Sequence, residues 1–377
     1  MRVYLDYNAT APPDPAIREE VAALEAATGN ASSIHWAGRE AKRALEGARG
    51  AVAKIFGRKP SEILFTSGGS EANNLALFGT LEASGRRRLL TSAVEHPSVL
   101  ESAKALGRRG IEHQAIGVDG AGRLDLSALG ALLAGPPALV SVMAANNETG
   151  VVSDLGGVIA LAKAHGAILH VDAVQAAGRI PLPLEADLIT LSGHKLGGHK
   201  GAGVLVRRAN IPLAPLIHGG PQERGFRAGT EPFPLYFSLA RALEATLARA
   251  EAEIPRLRAL QERLEEGLVA LGAQVLGAGA PRLVNTTSVL FAGVEAETLL
   301  VALDLEGIAA SSGSACSSGS VEPSHVLVAM GQSPAEALSA VRFSTGRGTT
   351  ATEIEALLAI LPRVLAQVRS AGPARRS

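Results

Sequence analysis

Seven short apolar runs recur between about residue 60 and residue 210, each closing on or beside a polar residue: Glu62 to Phe65, Arg88 to Ser92, Ile111 to Val118, Ala138 to Ala144, Ala167 to Asp172, Asp187 to Ser192 and Gly203 to Arg207. Several are almost unbroken in apolar residues, as strands covered on both faces must be. The segments between them, such as Asp154 to His165, repeat apolar positions at helical spacing. That alternation predicts an α/β fold with a mainly parallel seven-stranded sheet flanked by helices. In such sheets ligands bind beyond the carboxyl ends of the strands, so polar residues just after each run are the ones to inspect. The uncharged stretch Leu126 to Ala145 is long enough to cross a bilayer, but Gly135-Pro136-Pro137 cuts it. It reads as a helix end, a turn and a buried strand.

Past Pro232 a charged helical stretch, Leu239 to Gly272, connects to shorter alternations: Leu283 to Phe291, Ala296 to Leu305, Val341 to Ser344 and Glu353 to Val368. A smaller α+β domain is expected there. Lys+Arg and Asp+Glu both number 36, so no broad basic field exists for nucleic acid or an anionic membrane. The single cysteine, Cys316, excludes an intramolecular disulfide and a zinc site of several thiolates, and no metal site is expected. Met1 to Thr10 carries Asp6 and lacks the apolar region of a secretory signal, which predicts a cytoplasmic protein.

Three groups of residues could carry chemistry. Lys195 follows the run ending at Ser192, within Ser192-Gly193-His194-Lys195, and a desolvated amine there is the usual trap for an aldehyde. Asp172 ends another run, where a carboxylate can hold a pyridine nitrogen protonated. Thr66-Ser67-Gly68-Gly69-Ser70-Glu71 leads from a strand into a helix near Ser70, offering free amides and a hydroxyl to a phosphate. No Walker lysine and no Gly-x-Gly-x-x-Gly accompanies it, which disfavours a nucleoside triphosphate or dinucleotide. A lysine, a carboxylate and a phosphate cradle together predict a pyridoxal site.

With these pieces in order, the chain resembles the fold-type I pyridoxal phosphate enzymes of aminotransferase class V, specifically the NifS/IscS-like cysteine desulfurases. The likeness runs through Tyr4-Leu5-Asp6-Tyr7-Asn8-Ala9-Thr10, Val94-Glu95-His96, Asn146-Asn147-Glu148, His170 to Gln175, Ser192 to Lys195, Arg227-Ala228-Gly229-Thr230 and Val341-Arg342-Phe343-Ser344. Its most specific element is Ser311-Ser312-Gly313-Ser314-Ala315-Cys316-Ser317-Ser318, similar to the family's active cysteine loop.

The resemblance implies a role for each matching residue. Lys195 is the Schiff-base lysine, Asp172 partners the pyridine nitrogen, Gln175 bonds the ring hydroxyl, and His96 stacks on the ring and moves protons. Gly69, Ser70, Ser192 and His194 hold the phosphate, and Thr230 reaches the phosphate of a neighbouring subunit, which requires a homodimer. Asn147 and Arg342 fix the substrate carboxylate, and Cys316, on a flexible arm of Ser and Gly, is the nucleophile. It further implies a large cofactor-binding domain over 14–250 and a small domain made of 1–13 and 251–377. The implied reaction converts L-cysteine to L-alanine and leaves a persulfide on Cys316, passed on to an acceptor protein such as an iron-sulfur scaffold. The alternative is another class V enzyme, a selenocysteine lyase or an aminotransferase.

Overall fold

The computed structural model describes residues 2–312 and 322–371. After a two-residue strand β1 (Val3–Tyr4), the seven expected runs become β2 (Ile63–Thr66), β3 (Arg88–Ser92), β4 (Glu112–Ile116), β5 (Leu139–Met143), β6 (Ile168–Asp172), β7 (Leu188–Ser192) and β8 (Gly203–Arg207). They form one sheet in the order β2-β8-β7-β6-β5-β3-β4. β8 runs antiparallel to both its neighbours, and the other pairings are parallel. β5 to β8 are buried along their whole length, as their unbroken apolar sequences require. The edge strand β4 is half exposed and shorter than Ile111 to Val118, because Val118 instead bridges Leu124 across a turn.

Local signals set the helix ends. Asp125 and Asp154 accept backbone N–H groups at the starts of the helices Leu126–Leu133 and Leu155–Ala164. The uncharged stretch at 126–145 thus divides into a helix, a turn at Gly135-Pro136-Pro137 and β5. Among the described residues no helix is long and apolar enough to cross a membrane.

The connecting helix starts earlier than its charge pattern predicts, running Phe233–Ala270 with Pro234 in its first turn, where a missing N–H costs no hydrogen bond. Pro255 lies in its interior. Before that proline, Tyr236, Leu239, Ala240 and Leu243 pack into the core that covers one face of the large sheet. After it, Leu257, Leu260, Leu264 and Leu268 join a second core with Val3, Leu5, Phe291, Phe343 and Leu361. The second core is built on an antiparallel sheet, β12-β10-β9, where β9 is Ala273–Val275, β10 is Thr286–Phe291 and β12 is Ala340–Ser344. The chain's first residues belong to this side: β1 pairs in parallel with β11 (Ile308–Ala309), and Asp6 bridges Ser344.

One buried ion pair ties an outer loop to the large sheet. Arg49, on the helix Trp36–Phe56, gives Nη1 to Glu223 Oε2 (2.7 Å) and Nη2 to Oε1 (2.6 Å), and both side chains are almost fully buried. Glu223 Oε2 also accepts the Phe65 N–H, and Arg49 donates to the Ile63 carbonyl, so both ends of β2 are engaged. Glu223 and Arg224 hold positive φ values of 44° and 59°, a conformation the fork-to-fork pairing makes tolerable. Removing Glu223 leaves both Nη atoms of buried Arg49 without a carboxylate and only Nε paired with one, that of Glu46 at 3.1 Å, so Glu223→Ala should destabilise the chain by about 3–5 kcal/mol. Urea unfolding checks this, and a loss under about 1 kcal/mol would show that the pair is dispensable.

Candidate active site

The carboxyl ends of β2, β3, β5, β6 and β7 open on one side of the sheet, onto a cavity of about 340 Å³. Following β2, the chain turns through Ser67-Gly68 into a helical run over 69–84 whose Leu75–Gly79 part is π-helical. The turn lies against β8 so closely that a Cβ on Gly203 would come within 2.3 Å of the Gly68 backbone. A Cβ on Gly69 would meet Val174 at 3.1 Å and Ser192 at 3.4 Å. Glycine therefore sets this wall, and free amides at the helix start face the cavity beside Ser70, Ser192 and His194. His194 meets Thr10 Oγ1 at 3.2 Å, and burial, helped by Lys195 and Lys200, lowers its pKa to about 4. It is a neutral imidazole.

Asp172, at the end of β6, is fixed from two sides: Asn73 Nδ2 donates to Oδ2 (2.7 Å) and the Val174 N–H to Oδ1 (3.0 Å). Two titratable groups beside it are held uncharged. Burial pushes Glu95 up to about 8, assisted by the charge of Asp172, and burial takes His170 down to about 4. His170 sits between Ser141 Oγ (2.8 Å) and Thr190 Oγ1 (3.0 Å) inside the sheet.

Lys195 lies in a single helical turn after β7 and donates to the carbonyls of Asn8 (2.6 Å) and Ala9 (2.7 Å). Burial, with Arg342 and Arg179 adding to it, lowers its pKa to about 8. Gln175 Nε2 donates to the same Asn8 carbonyl at 3.1 Å. His96 caps the helix Pro97–Gly107, accepting the Ser98 N–H at its Nδ1 (3.1 Å). Opposite, Arg342 of β12 donates to the Asn147 carbonyl (2.8 Å) and to Asp6 Oδ1 (2.7 Å), while its buried Nε has no partner among the described residues.

The cavity thus brings together Gly69, Ser70, His96, Asn147, Asp172, Gln175, Ser192, His194, Lys195 and Arg342 from the sequence expectation. Thr230 is exposed and is not among its lining residues. Cys316 lies outside the described residues; Ser311, just before that segment, lines the cavity and bridges Arg342. Sequence reasoning missed Asn8 and Asn73, whose contacts arise only when distant segments meet. It also placed Arg342 as a carboxylate holder without its ion pair to Asp6.

The sequence comparisons agree with this architecture. The chain belongs to the aminotransferase class-V family, whose profile matches residues 3–357. Enzymes of this family work with pyridoxal 5'-phosphate. Within it, the chain is 46% identical to a cysteine desulfurase of Cereibacter sphaeroides, over 99% of this chain and 98% of that protein. It is 44% identical to a cysteine desulfurase of Gluconacetobacter diazotrophicus, over 98% and 95%. Among solved structures, a NifS-like protein superposes with a TM-score of 0.91 at 36% identity, covering 97% of this chain and all of that one. SspA in complex with cysteine superposes at 0.77 and 30% identity, covering 91% and 98%.

The lowered pKa of Lys195 can be read directly. In cofactor-free protein, carbamoylation of Lys195 by cyanate, followed by peptide mass, should have its midpoint near pH 8 rather than 10.5. Asp172 favours the ammonium and Arg342 opposes it, so Asp172→Asn lowers the midpoint and Arg342→Gln raises it. A midpoint near 10.5 in the unmodified protein would refute a desolvated amine.

Proposed function

We propose that this chain is a cysteine desulfurase that holds pyridoxal 5'-phosphate in the cavity, takes L-cysteine, and transfers its sulfur to Cys316. The observation that carries the reading is the meeting in one cavity of a desolvated lysine, a firmly held carboxylate and a glycine-walled anion cradle. These residues fit the cofactor. Amides at 69–71, Ser70, Ser192 and neutral His194 suit its phosphate, Asp172 suits its ring nitrogen, and Lys195 suits its aldehyde. When bound, the cofactor supplies an electron sink for charge left at a substrate carbon.

The chain's own groups do the rest. Asp172, held in place by Asn73 and the Val174 N–H, would face the ring nitrogen and favour its protonated form. The unpartnered Nε of Arg342 and the nearby Asn147 meet the substrate carboxylate and fix which Cα bond faces Lys195. Lys195, once its amine is free, takes the Cα proton, and a base near neutrality suits that task. His96, at the cavity mouth, relays protons. The Cys316 thiolate attacks the substrate's sulfur: its S–S bond forms as the substrate's C–S bond breaks, and the electron pair stays with the departing carbon. Protonation there gives L-alanine, so L-cysteine and an enzyme thiol become L-alanine and an enzyme persulfide.

Two further readings belong to this proposal. The chain divides into a large domain over 14–250 and a small one over 1–13 and 251–377, which the two separate cores support. It works as a homodimer in which the exposed Thr230 completes the partner's phosphate site, and an acceptor protein such as an iron-sulfur scaffold takes the sulfur.

Feeding L-cysteine to the reconstituted protein should add one sulfur atom to Cys316, seen as a peptide mass, and release alanine. Cys316→Ala should keep the bound cofactor's colour and lose alanine release from cysteine, whereas Lys195→Ala should lose turnover by about 10²–10⁴-fold. Unchanged cysteine turnover in Cys316→Ala would overturn the proposal in favour of a lyase acting without a protein thiol.

A further inference from the structure

Arg179 stands four residues after Gln175, just beyond the cavity wall, and forms no ion pair among the described residues. Its Nη1 donates to Gln175 Oε1 and, at 3.3 Å, to the Gln175 carbonyl. A guanidinium partly withdrawn from water without a carboxylate is costly, and burial lowers its pKa to about 10. A smaller cavity of about 90 Å³ lies on its far side, bordered also by Lys195, Thr246 and Arg347, with room for water to hydrate it. Nothing in the packing of the sheet requires a cation here. Its charge opposes that of Lys195, and its hydrogen bonds go to one residue, Gln175.

Gln175 is held between a group that only donates and a group that only accepts. Arg179 has no acceptor, so the amide oxygen must face it; the Asn8 carbonyl has no proton, so the Nε2 must face that end, at 3.1 Å. The amide has one permitted orientation, and a second Nε2 proton remains for whatever fills the cavity that Gln175 lines. Without Arg179 only the Asn8 carbonyl holds the amide, through one hydrogen bond of 3.1 Å, and the donor facing the cavity loses its second anchor.

We propose that Arg179 is a positioning residue: by holding Gln175 Oε1 it presents the Gln175 Nε2 as a hydrogen-bond donor to the phenolic oxygen of the bound cofactor. This rests on the reading of the cavity as a pyridoxal phosphate site. A donor on that oxygen drains charge that would otherwise hold the neighbouring imine proton, so losing the donor raises the pH midpoint of the visible absorption band. The other charged or titratable groups facing the imine are Asp6, Asp172, Arg342, His96 and His194, and the variants below leave them in place.

The test is the band's pH titration in cofactor-loaded protein. Arg179→Met should raise the midpoint by about one unit, a tenfold change in proton affinity. Arg179→Lys, which keeps a donor, should recover most of the shift. In a Gln175→Ala background Arg179→Met should add almost nothing, because the two changes share one path. Gln175→Glu, which keeps a partner for Arg179 and removes the donor, should raise the midpoint as well, and it serves if Arg179→Met does not fold. An unmoved midpoint in Arg179→Met or in Gln175→Glu overturns the inference while leaving the site intact. So does an equal Arg179→Met shift with Gln175 absent, which would mean that charge acts directly on the imine. A wild-type chain that forms no band takes down the reading of the cavity and the inference with it.

Discussion

The backbone carbonyl of Asn8 accepts Lys195 Nζ and Gln175 Nε2 together, and the geometry of the site depends on that shared acceptor. Asn8 is itself almost completely buried with its polar atoms engaged. Its N–H donates to Ser344 Oγ, its Nδ2 to Thr286 Oγ1 and the Asn147 carbonyl, and its Oδ1 accepts Asn285 Nδ2. These partners come from β12, β10 and the loop after β5, so one residue ties both cores to the reactive amine. A buried network with every member satisfied is rigid, because any rotation leaves a desolvated polar group unpaired. The reactive amine is therefore placed by the amino-terminal segment as much as by its own strand.

Asp172 lies beside Glu95 and His170, two titratable groups that burial keeps neutral around pH 7, and Asn73 and the Val174 N–H bond its oxygens as uncharged donors. A counter-cation in their place would compete with a protonated ring nitrogen. Neutral donors hold the carboxylate in position and leave its field free to act. On the opposite wall Asp6 takes one nitrogen of Arg342 and the Asn147 carbonyl another, and Nε is buried without a partner among the described residues. Those two bonds hold a buried guanidinium at the edge of the cavity.

The strands were legible because burial on both faces forces continuous apolar runs, and β3 and β8 match their expected ranges residue for residue. The chemistry at their carboxyl ends was legible too, since Lys195, Asp172 and the Gly68-Gly69 turn each follow a run within a few residues. Contacts between distant segments were not. Nothing near Asn8 announces a partner at Lys195, and nothing near Asn73 announces Asp172, because a hydrogen bond made by the fold leaves no local spacing. The start of the helix Phe233–Ala270 was misplaced for a different reason. Its opening stretch, Phe233 to Ser238, is uncharged and carries Pro234, so the charge pattern begins only with the stretch from Leu239, yet proline in a first turn loses no bond.

The same logic explains why the substrate side of the cavity comes from the second core. The carboxyl ends of the large sheet supply the lysine, the carboxylate and the anion cradle, all from short turns on a rigid frame. Arg342 and Ser311 come from elements packed on the other core, joined to each other by reciprocal backbone bonds at 3.1 and 2.6 Å. The long helix Phe233–Ala270 belongs to both cores and changes allegiance at Pro255, a residue whose missing N–H removes one rung of the helix there. The bonds of Asn8 and the Arg342–Asp6 pair resist relative movement of the cores, together with the apolar cluster of Val94, Leu276, Leu290 and Met330 and the Ser324–Glu148 hydrogen bond. The bonds of Asn8 and of Asp6 both span from the amino-terminal segment to the second core, so the first ten residues act as a strap across the site. The strap works through backbone and side chain alike: the carbonyls of Asn8 and Ala9 take Lys195, that of Asn8 also takes Gln175, and the Asp6 carboxylate takes Arg342.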